Sequence, residues 1–466
     1  MLLAVLAHAT AFAAPSPYPR TNLMTQFLPK HKPNIIFILA DDLGYGDVGC
    51  YGQTKIKTPN IDKLAEEGMR FTQCYAGTTV CAPSRACLMT GLHSGHVRIR
   101  GNAAVPLQAQ DVTVAEVLKS ANYHTGAVGK WGLGLAGTPG TPTRQGFEDW
   151  VGYLGQTHAH NYYPTQLYRN DTLFVLDKNL YGNKGQYAQD LFSQVASNYV
   201  RINKYGSFFL YLAYTIPHAN NELKQKGMEV PSDEPYSNEN WPQPEKNKAA
   251  MITRLDRDIG ALMQQLKQLK IDDNTVVFFT SDNGPHKEGG VDPEFFKSSG
   301  PLRGIKRDLY EGGIRVPMIA RWPGKIKAGT VSEQVWAFWD FLPTAADIAG
   351  VSVPPGNDGI SMLPTLLGQK QTNQHEFLYW EFHEKGSTQA VRMGDWKAIR
   401  PEVGKPLELY HLKADIGETT NVASEHPEIV EQIERYLKTA RKADPRWPLL
   451  TPKEAAEQKQ EEKDLN

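Results

Sequence analysis

"NIIFILADDLGYGD", residues 34–47, decides the architecture of this chain. Ile35 to Ala40 is a fully apolar run that stops at two aspartates. It is too short for a buried helix and shows no polar alternation. A parallel strand covered on both faces has this character. "SFFLYLAYTIPH" (207–218) and "NTVVFFTSDNGPH" (274–286) repeat the plan, apolar strand first and polar residues at its carboxyl end. Between them Met251, Leu255, Ile259, Leu262, Leu266 and Leu269 recur at spacings of three and four, one face of a long amphipathic helix. "DVTVAEVLKSA" (111–121) predicts another helix with an acidic start. Strands alternating with helices imply an α/β fold, a large, mostly parallel sheet sandwiched by helices. Ligands in such sheets gather beyond the carboxyl ends of the strands, where all three polar clusters fall.

After about Gly368 the pattern shifts to short strand-like runs, "EFLYWEF", "QAVRMGDWKAIR" and "LELYHL", followed by "HPEIVEQIERYLKTARKA". Pro427 suits a first helical turn, and Ile429, Ile433 and Leu437 form a stripe. The expected organisation is a catalytic unit over 33–368 and a small antiparallel sheet with one helix over 369–450. A charged tail, solvated or frayed, is expected over 451–466. At the other end, Leu2 to Ala13 has the apolar core of a signal peptide, with a small-x-small site at Ala11-Phe12-Ala13, although the basic n-region is missing. Residues 1–14 are therefore expected to direct export to the periplasm or medium.

The 466 residues carry 50 basic and 51 acidic side chains, a formal net charge of -1, so charge makes no case for nucleic acid or an anionic membrane as partner. After the N-terminus no apolar run approaches the roughly 20 residues needed to span a bilayer, and an integral membrane protein is not expected. Four cysteines do not make a disulfide scaffold, and Cys50, Cys74 and Cys87 are expected to be mainly buried thiols.

Asp41, Asp42, Asp282 and Asn283 offer oxygen donors at the ends of two buried strands. Single "DD" or "DN" pairs in loops are usually turn residues. Together they suit a hard cation, Ca²⁺ ahead of Mg²⁺, better than zinc. Three crowded carboxylates would also repel one another without one. Cys81, in "VCAPSRACLMTG" (80–91), has no metal-ligand spacing and no evident pairing partner.

"CAPSRACLMTG" resembles the sulfatase signature C-x-P-S-R followed by T-G, whose cysteine is oxidised to Cα-formylglycine. "GAVGKWGLG", "TIPH", "SDNGP", "LRGIKRDLYEGGIRVP", "DFLPTAADIAG" and "ELYHLKADIGETTN" extend the resemblance over nearly the whole chain. The chain resembles type I sulfatases of the alkaline-phosphatase superfamily, of the arylsulfatase or N-acetylgalactosamine-6-sulfatase-like kind. The resemblance implies an alkaline-phosphatase-like fold, a maturation enzyme that converts Cys81 to formylglycine, and a sulfated sugar or aryl sulfate as substrate. Residue 81 would join the four oxygen donors at the metal. One hydroxyl of the aldehyde hydrate would attack sulfur, and the other would lose its proton and expel sulfate. Arg85 would orient residue 81, Lys130 and Lys306 would bind sulfate, and His218 would protonate the leaving oxygen.

One departure stands out. Many sulfatases read G-K-W-H-L-G, with a histidine on the formylglycine hydroxyl, where this chain has Gly132. "GQTHAHNYYP" offers His158 and His160 as replacements, His160 ahead of His158. His93, His96, Arg98, Arg100, His286, His383 and Arg392 are further candidates for sugar contacts. Two other functions compete. A phosphodiester or phosphonate hydrolase of the same superfamily would use a Ser or Thr nucleophile and two metals. A catalytically inactive glycan-binding homologue is suggested only by Gly132.

Overall fold

The computed structural model describes residues 32–464, so the expected export segment lies outside the described residues. The opening apolar run is strand β1 (Asn34–Ala40), buried along its whole length. The other strands of its sheet are β2 (Met69–Tyr75), β3 (His124–Lys130), β4 (Asp149–Tyr153), β5 (Gln166–Arg169), β6 (Thr172–Val175), β7 (Phe208–Ala213), β8 (Thr275–Ser281), β9 (Arg315–Arg321), β10 (Thr330–Ser332) and β11 (Trp336–Ala337). Their order is β10-β2-β9-β8-β1-β7-β3-β4-β5-β6, with β11 also beside β2. The centre, β8-β1-β7-β3-β4, is parallel throughout, while β9 and the β5–β6 ribbon run antiparallel.

Successive residues of a strand face opposite sides of its sheet. Ile35, Phe37 and Leu39 accordingly enter one core and Ile36, Ile38 and Ala40 the other, which is why the run carries no polar residue. Helices α2 (Cys81–Thr90), α3 (Val114–Ser120) and α7 (Phe341–Ala349) cover the first face. Helices α1 (Pro59–Glu66), α4 (Ala188–Asn203) and α5 (Gln243–Gln268) cover the second. The helix read from "DVTVAEVLKSA" starts at Val114 rather than Asp111. Thr113 is its N-cap and forms a capping box with Glu116, which sets the boundary.

Two short helical turns, α6 (Glu311–Ile314) and α8 (Leu363–Leu366), precede the second sheet. That sheet is antiparallel in the order β12 (Leu378–Phe382), β13 (Thr388–Met393), β14 (Trp396–Arg400), β15 (Glu408–His411). Helix α9 (Pro427–Leu437) packs Ile433 and Leu437 against its Tyr379, Val391, Ala398 and Leu409. The charged tail, expected to be solvated or frayed, is a mostly exposed helix, α10 (Pro452–Asp464). Ala455 on it is buried, and Lys459 donates to the Glu384 carbonyl at 2.6 Å. Among the described residues no helix is long and apolar enough to cross a membrane.

Buried polar networks join the two sheets. Glu311 accepts from Lys397 (2.8 Å), Arg315 (2.6 Å) and Tyr75 (2.7 Å). Glu381 accepts from Arg100 (2.9 Å), Arg441 (2.7 Å) and Tyr379 (2.8 Å) and lies 3.1 Å from His383 Nε2.

Candidate active site

Helix α2 begins at Cys81, and all ten of its residues are buried. Pro83 falls in the first turn, where its missing N–H leaves no intrahelical bond unmade. Gly91 closes the helix with φ +68°. Ser84 bolts the helix to the end of β8, since its Oγ donates to the Asp282 carbonyl at 2.5 Å and accepts from Gly77 N–H. Arg85 grips the Asp282 carboxylate with Nε (3.0 Å) and Nη2 (2.7 Å) and the Lys130 carbonyl with Nη1 (2.9 Å). Helix α2 is thereby fixed across the carboxyl ends of β8 and β3.

Cys81 Sγ donates to Asp41 Oδ1 at 3.3 Å. Burial pushes its thiol well up, and Asp41 adds to the effect, so an unmodified Cys81 is protonated and a poor nucleophile. Lys130 donates to Asp41 Oδ2 at 2.8 Å, and Lys306 to Asp42 Oδ2 at 2.6 Å. Burial works against both ammoniums, but Asp41 and Asp42 more than offset it. Arg85, Lys130 and Lys306 thus each sit on one of three buried carboxylates. The repulsion expected among those carboxylates is already relieved by the protein's own cations. Burial raises Asp41, yet the positive charges of Lys130, Arg85 and Lys306 hold it well below the usual carboxylate range.

Asp42, in the left-handed region at φ +64°, donates its N–H to Asp282 Oδ1 and accepts from Asn283 Nδ2 at 2.7 Å. Asn283 Oδ1 is buried without a hydrogen-bond partner among the described residues. One ligand atom each from Asp41, Asp42, Cys81 and His218 lies within 4.8 Å of the others. An orphaned amide oxygen beside three carboxylates is a donor set that a hard cation would satisfy.

His218 Nδ1 faces the Ala219 carbonyl at 2.6 Å and Nε2 faces Lys306 Nζ at 3.1 Å. A carbonyl only accepts, so the proton belongs on Nδ1 and Nε2 is bare. Burial and Lys306 lower this imidazole well below its usual range. To act as an acid, His218 would first need a proton at Nε2.

His160 stacks on His218 at 4.8 Å and 11° between ring planes, with Nδ1 3.1 Å from Glu222. His158 turns away in the same 3₁₀ turn and meets the Tyr153 ring edge-on at 4.9 Å. Gly132 lies beside Gln156 rather than beside either histidine. A Cβ at 132 would stand 2.1 Å from Gln156 Nε2, and φ is +81°. Gln156, which sequence reasoning missed, fills the space of the absent side chain.

The other candidates have internal partners. Arg98 pairs with Asp111, Arg100 with Glu381, and Arg392 with Tyr75 and Gln73. His383 lies between Glu381 and Ser387, while His93 and His96 gather around Asp358. His286 commits both ring nitrogens to backbone, Nε2 to the Pro217 carbonyl and Nδ1 to Glu288 N–H. It therefore offers no free nitrogen to a second metal. Cys74, Cys81 and Cys87 are buried; Cys50 is only half-buried.

The mixed sheet, with acid and lysine clusters at its strand ends, has the alkaline-phosphatase-like fold, and comparison with known proteins makes the chain a sulfuric ester hydrolase. The Sulfatase family profile matches residues 33–351, and that of the N-sulphoglucosamine sulphohydrolase C-terminal region matches 305–443. Human (Homo sapiens) arylsulfatase A is 33% identical over 86% of this chain and 86% of its own. N-acetylgalactosamine-6-O-sulfatase of Bacteroides thetaiotaomicron is 29% identical over 88% of this chain and 93% of its own. The crystal structure of Ps i-CgsB superposes with a TM-score of 0.77 and 32% identity, covering 87% of this chain and 92% of that one. The chain belongs to the sulfatase family.

Proposed function

We propose that the protein removes sulfate from a sulfated carbohydrate through a formylglycine hydrate at position 81 and one bound calcium ion. The observation that carries this reading is the placement of Cys81 on Asp41, among Lys130, Lys306 and His218, at the start of a wholly buried helix. Oxidised and hydrated, residue 81 would supply two hydroxyls, one to take the sulfuryl group and one to lose its proton as sulfate leaves. Asp41, Asp42, Asp282 and Asn283 would hold the cation, whose role is to polarise a sulfate oxygen and acidify a hydroxyl. Lys130 and Lys306 would follow the charge that develops on the transferred group. His218 would pass a proton to the departing alcohol, and His160 would take one from the residue-81 hydroxyl. Support for a sugar comes from the relatives: one is named for N-acetylgalactosamine 6-sulfate, and Ps i-CgsB has been crystallised with k-i-k-neocarrahexaose. The leader-like Leu2–Ala13 segment supports export, and the C-A-P-S-R tract supports a formylglycine-generating partner.

The test is co-expression with that maturation enzyme, followed by peptide mass and metal analysis. The residue-81 peptide should carry an aldehyde, calcium should be stoichiometric, and Cys81→Ala should be folded and inactive. Full activity in Cys81→Ala, or stoichiometric zinc without calcium, would overturn the reading.

A further inference from the structure

A cleft of about 520 Å³ has Lys306 and His286 in its wall, together with Glu288, Arg307, Phe382 and Glu384. Lys306 links its wall to the reacting groups, since it reaches Asp42 and His218.

Glu288 and Arg307 are not explained by the chemistry above. Glu288 Oε1 accepts from Arg307 Nη1 at 2.5 Å. Its Oε2 is buried without a hydrogen-bond partner among the described residues, 3.9 Å from Lys306 Nζ and 3.5 Å from His286 Nδ1. That nitrogen accepts from Glu288 N–H, so it carries no proton to offer. Arg307 gives Nε to Glu384 Oε2 at 2.7 Å and keeps its guanidinium side chain 38% exposed. Its backbone is held at φ +79°, a costly conformation for arginine, by Thr79, whose Oγ1 takes the Arg307 N–H at 2.8 Å. Glu384 belongs to the β12–β13 turn. That turn is braced by Lys459 of α10 and by the Ser387 N–H bond to Leu450.

We propose that Glu288 and Arg307, steadied by Glu384, are specificity-determining residues that read the hydroxyl groups of the sugar ring bearing the scissile sulfate. This deepens the proposed function and rests on it. A hydroxyl both donates and accepts, and a bare carboxylate oxygen beside guanidinium N–H groups meets both needs.

The experiment compares mature wild type with Glu288→Gln, Arg307→Asn and Glu384→Gln. Asparagine is chosen because it tolerates the left-handed backbone. Substrates are N-acetylgalactosamine 4- and 6-sulfates, galactose 6-sulfate and N-sulfoglucosamine, against 4-nitrophenyl sulfate, which has no hydroxyl. For the sugar cleaved fastest, kcat/KM should fall about 10–100-fold further than for the aryl ester, chiefly through KM. Glu384→Gln, on an exposed turn, should show a smaller loss in the same direction. Equal losses on both substrate types, or none on the sugar, would overturn the assignment. If wild type cleaves only sugars, raised KM at constant kcat supports it, and lowered kcat at constant KM overturns it. Wild type that cleaves only the aryl ester defeats the assignment but leaves the sulfatase reading intact. Wild type that releases sulfate from nothing defeats both.

Discussion

Ser84 shows how much of the C-x-P-S-R tract is architecture. Its hydroxyl both donates and accepts in a fully buried position, so Ser84→Ala leaves a backbone carbonyl and a backbone N–H without partners. The expected cost is about 1–3 kcal/mol in denaturant unfolding, with activity falling as α2 loosens from β8. Gly132 makes the opposite case. Restoring the histidine with Gly132→His should give no gain in rate and lower stability by roughly 1–3 kcal/mol, because the backbone is left-handed and Gln156 occupies the space. His160→Ala should slow turnover about 10²–10⁴-fold and let a sulfated residue 81 accumulate, seen by intact mass. Normal turnover without a trapped ester would remove His160 from the mechanism. Asp41, Asp42, Asp282 and Asn283 were legible in the sequence because each pair ends an apolar run. Gln156 was not, because its meaning depends on which residue it meets in space. Arg100 and Arg392 were misleading for the same reason, since Glu381 and Tyr75 lie hundreds of positions away.

At the scale of elements, strand β12 carries a group whose stabilisation is sensitive to acid. Burial raises the Glu381 carboxyl, but His383, Arg441 and Arg100 bring it down to about 2, against 4.5 for a free glutamate. A depressed value means that the unfolded chain binds the proton first as pH falls. The stabilisation is complete above about 4.5 and is lost as pH drops towards 2, on the order of 3 kcal/mol in all. Glu381→Gln should therefore be destabilised at neutral pH and show a flatter loss of stability between pH 4.5 and 2 in melts across that range. A parallel decline in both proteins would show that other carboxylates dominate. Strand β1 and helix α5 could be read directly, since one is continuously apolar and the other keeps its three–four spacing. Helix α10 could not, because a charged segment with one buried alanine carries little periodic signal.

For the whole molecule, the C-terminal sheet lines the cleft that Lys306 enters, tied to the larger sheet through Glu311 and buttressed at Glu384 by α10. Ending the chain at Leu450 should leave both sheets folded, raise KM for a sugar sulfate severalfold and spare kcat. An unchanged KM would mean that α10 only decorates the surface. The burial of α2 also constrains how this molecule is made. Cys81 is 1% exposed, and no enzyme of ordinary size can close on it once its helix is seated between β3 and β8. On the proposed mechanism, oxidation comes first and folding second. The native protein is thus a record of its own biogenesis, and chains that fold too early are expected to be permanently inert. Purified, folded, unmodified protein should resist the maturation enzyme, while the same chain kept in denaturant and then diluted into it should be converted.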